Sequence, residues 1–412
     1  MVNYSSPFTR QAASLVTWAC ALLFACFSFC YLYFYQSNYL AQLQYHFSHG
    51  ETTYQPLVGA VLVTLPLLLL GVFLHRAVRW PLRYGALSWF PSVFLLTMLT
   101  AMRMPELPDY TQCMPWGGIA FVLIIFAFVV CLCCLHPDAT GERASLCSYL
   151  STNVLIMCCL MFMCGTMSYS SISGHRELRM GHLLHQGQYA RAVRCCPDTS
   201  DVTHRLFALR AAALAESDLL ADSLFCYPIP QGTACLMPEQ SDSSFVYDAL
   251  PRLYRGMRAV PRRTDTFTER VFLEQVLRAD SLPRPFALDY LLCSHLLRGD
   301  LCAFCHDLVA HSDSLSSSLP RHYREALVLC QSLGVLSRQS ITSTVGSSVG
   351  STRVLTSDTS GPLNACIDSL MADEFQHFSV LRSSASHGHR AATDFLATYS
   401  GTYWAYYYSR FH

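Results

Sequence analysis

Several clusters in this chain carry residue types that do chemistry. "CAFCH" at 302–306 has the spacing that attaches a c-type haem, with Cys302 and Cys305 as thioether donors and His306 as iron ligand. The same two thiols are candidates for a redox or structural disulfide, which between i and i+3 of one helix would be strained and labile. A third reading is plain packing, because Leu301, Phe304 and Leu308 form one helical stripe and Cys302, Cys305 and Val309 the adjacent one. With 20 cysteines and 16 histidines in 412 residues the string arises readily by chance. The favoured reading is a packed helix with no cofactor.

"GSSVG" at 346–350 matches a nucleophile elbow, followed by Asp373 and His387 or His389 in hydrolase order. An elbow needs a strand, a sharp turn and a helix; here the string lies in a serine-rich stretch, so no catalytic residue is assigned. His182 and His185, with His175 two turns earlier, could share a metal but lack a clear acidic partner. His46, His49 and Glu51 are no stronger as a set, and no metal is expected. "RLYRGMRAVPRR" at 252–263 carries Arg252, Arg255, Arg258, Arg262 and Arg263. The first three recur every three residues and line one helix face. A solvated face is the ordinary reading; the functional one is docking to anionic headgroups or an acidic partner, since guanidinium forks grip phosphate and carboxylate.

The elements that must position these residues are read from composition and periodicity. The chain is 52% hydrophobic and only 14% charged, against roughly 25% charged in ordinary soluble domains, which points to a membrane protein. Net charge is zero, so nucleic acid is not an expected partner. All the basic residues are arginine, which excludes a Walker lysine and Schiff-base chemistry.

Stretches at about 12–35, 57–74, 85–102, 116–135 and 147–167 lack charge and are long enough to span a hydrocarbon core of roughly 30 Å. They make residues 1–167 a bundle of five transmembrane helices. No acidic, basic or histidine side chain falls inside them, which disfavours an ion-coupled transporter. Asn153 is their main strongly polar side chain, and Pro66 and Pro91 are candidate kinks. Arg10, Arg76, Arg79, Arg83 and Arg143 sit on one side of these spans. The positive-inside rule then places the N-terminus in the cytoplasm and everything after about residue 168 outside it.

Residues 168–338 are expected to form a helical-repeat domain. "LLHQGQYARAVRCCP" (183–197), "ALAESDLLADSLFCYP" (213–228) and "LLRGDLCAFCHDLVA" (296–310) each read as a helix end, a tight polar turn and a second helix. "GQYARA" has the Gly-x-Tyr-x-x-Ala spacing of a tetratricopeptide repeat, although the turns do not keep a constant period. Such stacks offer a concave face to a protein or peptide. Residues 339–361 are Ser/Thr/Gly-rich and read as a loop. Residues 362–412 return to helix and end in the aromatic "GTYWAYYYSRFH", expected to cap the last helix pair.

The blocks "YFYQSNYLAQLQYHFSHGETTY", "GALSWFPSVFLLTMLT", "DYLLCSHLLRGDL", "LPRHYREAL" and "GTYWAYYY" resemble an uncharacterised family of bacterial multi-pass inner-membrane proteins with a C-terminal tetratricopeptide-like region. The resemblance implies that architecture and no activity. Together these readings predict an all-α, non-enzymatic protein of the bacterial inner membrane. It would embed in the lipid bilayer and present a periplasmic helical-repeat domain to a protein or peptide. The rival is an envelope enzyme or assembly factor acting on a lipid-linked glycan, its site between the outer loops and the repeat domain.

Overall fold

A computed structural model describes residues 7–78, 81–102, 146–195, 202–230, 269–278, 285–311, 319–335, 369–385 and 398–411, with single positions at 118, 123, 126, 127, 236, 237, 247, 253, 254 and 257. Every regular element among them is helical. The chain divides into two compact units, residues 1–182 and 183–412. The boundary falls later than the expected 167/168 because the residues after 168 are bonded to the first unit. Tyr169 donates its N–H to Thr100 O at 3.0 Å, Gln36 Nε2 donates to Tyr169 O at 3.0 Å, and the His175 ring lies against Tyr35 and Tyr169.

The first unit contains α1 (Pro7–Cys30), a π-helical turn (Tyr31–Tyr35), α2 (Ser37–Ser48), α3 (Pro56–Ala77), a 3-10 segment (Leu82–Trp89), α4 (Phe90–Thr100) and α5 (Leu146–Met167). Among the described residues three helices are long and apolar enough to cross a membrane: Ala13–Tyr35, Pro56–Ala77 and Leu146–Met167. The 22 residues of α3 span about 33 Å at the α-helical rise. The expected span at 85–102 is not one continuous α-helix. Its first part is the 3-10 segment, bent at Tyr84, and α4 has only 11 residues. The expected span at 116–135 lies outside the described residues apart from positions 118, 123, 126 and 127. Apolar side chains point outward along the long helices, as at Leu62, Leu69, Phe73 and Phe162. Trp89 is fully buried and seats on Gly71 of α3, where a Cβ would come within 2.4 Å of the indole; small residues let membrane helices approach this closely.

Helix α6 (Ile172–His185) runs across the boundary. The second unit continues with α7 (Tyr189–Val193), α8 (His204–Ala215), α9 (Leu220–Ser223) and a 3-10 turn (Leu224–Cys226). Then come α10 (Glu269–Arg278), α11 (Pro285–Arg298), α12 (Leu301–Ala310), α13 (Arg321–Ser332), α14 (Ser369–Ala385) and α15 (Tyr403–Phe411). The three expected helix–turn–helix segments are present. Each turn holds one residue in the left-handed region: Gly187 (φ 72°), Asp218 (φ 54°) and Gly299 (φ 71°). Glycine takes that conformation freely, and a short polar side chain tolerates it. The second helices are unequal, with 5, 4 and 10 residues. Helix α13 is the hub, packing against α9, α12, α14 and α15.

Candidate functional site

Among the described residues of the second unit a dense polar cluster forms around Glu325 of α13, which is 1% exposed. Pro320 stops the chain from continuing a helix backward, so α13 starts at Arg321 with orphan N–H donors. Asp222 of α9 takes the first of them, Arg321 N–H to Oδ1 at 2.6 Å. One turn in, Glu325 Oε1 accepts from Arg321 Nε at 2.8 Å, and Oε2 lies 2.9 Å from His322 Nδ1. Oε2 also accepts from the Tyr403 N–H at 2.7 Å, and Glu325 O accepts from Trp404 Nε1 at 2.7 Å. The carboxylate thereby satisfies a donor at the start of α15, where Thr402 Oγ1 takes another from Ala405 N. Burial alone would push the His322 pKa down; Cys226 and Glu325 outweigh it and hold it above the ordinary value.

The aromatic end of the chain completes this joint. The Tyr403 and Tyr406 hydroxyls donate to Leu296 O and Leu297 O at 3.2 and 2.7 Å. Those carbonyls belong to the last turn of α11, where Leu296 O also accepts from the Gly299 N–H at 3.1 Å. The Phe225 ring sits 5.0 Å from the rings of His322, Tyr403 and Tyr406. The tail is therefore a cap on the helix packing, as the sequence suggests.

A second cluster closes the Gly299 turn. Asp300 caps α12 by accepting from Ala303 N at 3.0 Å. Asp307 holds His295 of α11 through Oδ2 and His306 through Oδ1, both at 2.9 Å. Burial pushes the Asp307 pKa up, but the two histidine hydrogen bonds prevail and bring it to about 2. In "CAFCH", then, His306 leans on its neighbour Asp307. The residues do not fit a covalent haem: Cys302 is exposed on the outer face of α12, whereas Cys305 is fully buried. Leu301, Phe304 and Leu308 are buried as the stripe predicts, joined by Cys305. Cys302 and Cys305 do not face each other; the sulfur beside Cys305 is that of Cys330, at 3.4 Å.

Asp289 of α11 accepts from the Tyr323 hydroxyl at 2.8 Å. Burial pushes this carboxyl up to about 6, helped by the nearby charges of Asp218 and Asp222 and opposed by the Tyr323 bond.

In the first unit, polar side chains serve irregular backbone. Asn153 of α5 is fully buried. Its Oδ1 accepts from Ala86 N at 2.7 Å, and its Nδ2 donates to Leu82 O at 2.9 Å and Tyr149 O at 2.8 Å. His75 Nδ1 lies 2.8 Å from Ser88 Oγ and its Nε2 2.8 Å from Thr17 Oγ1. Sequence reading missed His75 because the apolar run ends at 74, whereas α3 continues to Ala77. A groove of about 480 Å³ lies between α2 and α3, lined mainly by apolar side chains including Leu43, Phe47, Val58 and Leu62, with Gln44 and Gln55 among its polar members.

The other sequence candidates are placed as follows. Arg252, Arg255, Arg258, Arg262 and Arg263 lie outside the described residues; Leu253 and Met257 in the same segment are buried. Gly346–Gly350, His387 and His389 also lie outside them. His175 is held by Tyr169 O at 3.3 Å, and His185 stacks on Tyr247. Burial pushes the His175 pKa down, opposed by that carbonyl bond. His49, in the left-handed region, and Glu51 are exposed at the end of α2. Among the described residues no three His, Cys, Asp or Glu side chains converge as metal ligands.

The Glu325 joint and the Gly299 turn fall in the part of the chain that matches a family model. Residues 247–410 match a family of unknown function, DUF6057. No curated protein and no solved structure matches the chain. The DUF6057 match runs from the arginine-rich segment to the aromatic tail, so it takes in α10 to α15 and leaves the long apolar helices outside it.

Proposed function

We propose that this is a non-enzymatic, multi-pass membrane protein of the bacterial inner membrane whose second unit faces the periplasm and binds a protein or peptide. The observation that carries the reading is the commitment of the Glu325 cluster. Both carboxylate oxygens and the carbonyl of Glu325 are used by α13 and α15 themselves, which suits a rigid support better than a reacting centre. The recurring helix–turn–helix segments support a tetratricopeptide-like recognition surface. The arginines at 252–263 are its candidate contacts, for an acidic partner or for headgroups. An odd number of crossings, three or five, puts the two chain ends on opposite sides, and the arginine-rich connections favour the N-terminus as cytoplasmic.

The test is a reporter fused after residue 412 together with crosslinked affinity capture from intact membranes. A periplasm-active reporter is expected to be active, and one protein partner is expected to crosslink to the second unit. A reporter active only in the cytoplasm overturns the topology, and the absence of any crosslinked protein overturns the binding role. The groove between α2 and α3 favours a second reading, an envelope enzyme or assembly factor acting on a lipid-linked glycan. Its sign would be a lipid, not a protein, crosslinked to Phe47 or Leu62.

A further inference from the structure

The two sulfurs that meet in the second unit come from different helices. Cys305 lies on α12 and Cys330 on α13, with Sγ atoms 3.4 Å apart. Both side chains are fully buried, and the same two helices also meet at Phe304 and at Tyr323, two turns before Cys330, with ring centroids 5.5 Å apart. Cys302, one turn before Cys305, is exposed. Cys293 is buried elsewhere in the packing, 3.8 Å from the Tyr323 hydroxyl.

We propose that Cys305 and Cys330 form an intramolecular disulfide that staples α12 to α13 when this unit folds outside the cytoplasm, a proposal that rests on the outward location argued above. The sulfurs need only close from 3.4 Å to about 2.05 Å, and they belong to side chains already aimed at each other. Two S–H bonds break and one S–S bond forms. The two protons and two electrons pass to a protein disulfide or a small-molecule disulfide, which is reduced to two thiols. Packing dictates when this happens. The hydrogen bond with the neighbouring Cys305 thiol, and then burial, push the Cys330 thiol far above its usual range, and a thiol without thiolate character does not attack a disulfide. The bond therefore forms while α13 is docking, and the closed core afterwards shields it from reductants. The staple lies beside the Glu325 joint on the hub helix, so it fixes the support on which the aromatic tail rests. The alternative Cys302–Cys305 bond would have to pull an outward sulfur and an inward one together along a single helix.

The experiment maps thiols in the full-length protein, taken from membranes of cells with an oxidising periplasm. Free thiols are trapped with acid and alkylated in denaturant before and after reduction. Arginine cleavage releases Cys302 and Cys305 on one peptide, 299–321, and Cys330 on another, 325–338. A Cys302→Ser chain is run in parallel to decide which sulfur is bonded. The expected result is a 299–321/325–338 pair that survives Cys302→Ser, appears in non-reduced digests only, and is lost in Cys305→Ser. Cys330 should then alkylate without reduction. Full alkylation of Cys305 and Cys330 before reduction, with the residue-412 reporter placing that end outside, overturns the proposal.

If the reporter places the end inside, the topology fails on its own. The pairing is then decided on detergent-purified protein opened by mild denaturant and treated with oxidised glutathione. Preferential closure of Cys305–Cys330 upholds the pairing, and closure elsewhere or none overturns it.

Discussion

The two units differ in what they expose. The first turns Leu62, Phe73 and Phe162 outward, at 66%, 65% and 74% exposure, and keeps Gln36, Ser92, Thr97 and Asn153 inside. The second buries Leu214, Leu292, Phe304 and Trp404 and uses polar groups mainly where helices end. The difference fits the three helices of the first unit that are long and apolar enough to cross a membrane. In hydrocarbon every unpaired backbone group must be satisfied internally, and in the first unit Asn153 does this for the irregular Leu82–Trp89. In the second unit the buried carboxylate of Glu325 is held by several converging donors. Substitutions that unbalance one unit should therefore leave the other nearly untouched.

The largest effect is expected at Glu325. Glu325→Ala leaves Arg321, His322 and the Tyr403 N–H without their shared acceptor. Removing one partner from a buried ionic cluster costs about 3–5 kcal/mol. In hydrogen–deuterium exchange of the detergent-solubilised chain, 321–332 and 403–411 should exchange much faster, while 56–77 and 146–167 keep their protection. Equal loss in both regions would contradict the independence of the units.

Asn153→Leu should do the reverse. It fills the space but leaves the Ala86 N–H and the Leu82 carbonyl without their Asn153 partner, at a cost of about 1–3 kcal/mol. Protection should fall across 82–100 and 146–167 and hold at 321–332. A neutral substitution would mean that the 3-10 segment is not held by Asn153.

Particular residues show what could be read without coordinates. The Gly187 and Gly299 turns were legible because only a left-handed residue reverses a helix so tightly, and the Leu301, Phe304, Leu308 stripe because it repeats at helical spacing. The aromatic tail was legible as a cap, but its anchor was not: Glu325 and Tyr403 are 78 residues apart, and nothing in either local pattern names the other. The same holds for the contact of Cys305 with Cys330, 25 residues apart, which no local spacing signals. Hydropathy offered 85–102 as a span because it measures apolarity and not backbone conformation. The signal for the 3-10 segment was the lone Asn153 in a facing apolar helix, an amide that had to be bonded to something.

Asp289 should shift stability in the favourable direction, and by less. Its folded pKa of about 6 lies above the ordinary carboxyl value of 3.8, so the unfolded chain gives up this proton first as pH rises. The stability of the second unit should fall between about pH 4 and pH 6 and be level above that as far as this group is concerned. Asp289→Asn keeps an acceptor for Tyr323 and removes the buried charge. It should gain about 1–2 kcal/mol at pH 8 and little at pH 4. Unfolding of the two chains at both pH values checks this, and a loss at pH 8 would show that the charge itself is needed.

The smallest effect on stability, with the largest expected on function, belongs to the arginine row. Arg252, Arg255 and Arg258 recur every three residues, and the ordinary reading of such a row is a solvated face. Solvated substitutions usually cost less than about 0.5 kcal/mol each. Changing the three together to Ser should leave the melting temperature nearly where it was while weakening capture of the crosslinked partner. Salt sharpens the test. If the contact is ionic, raising ionic strength should mimic the triple substitution in the native chain and do little more to the variant, because exposed charges are screened within about 8 Å at physiological salt. Anionic and neutral vesicles separate the two candidate surfaces. Retention on anionic vesicles with unchanged protein capture would assign the row to headgroups, and the reverse pattern to a partner. A large drop in melting temperature would make the row part of the packing, and recognition would then have to use another face of the second unit.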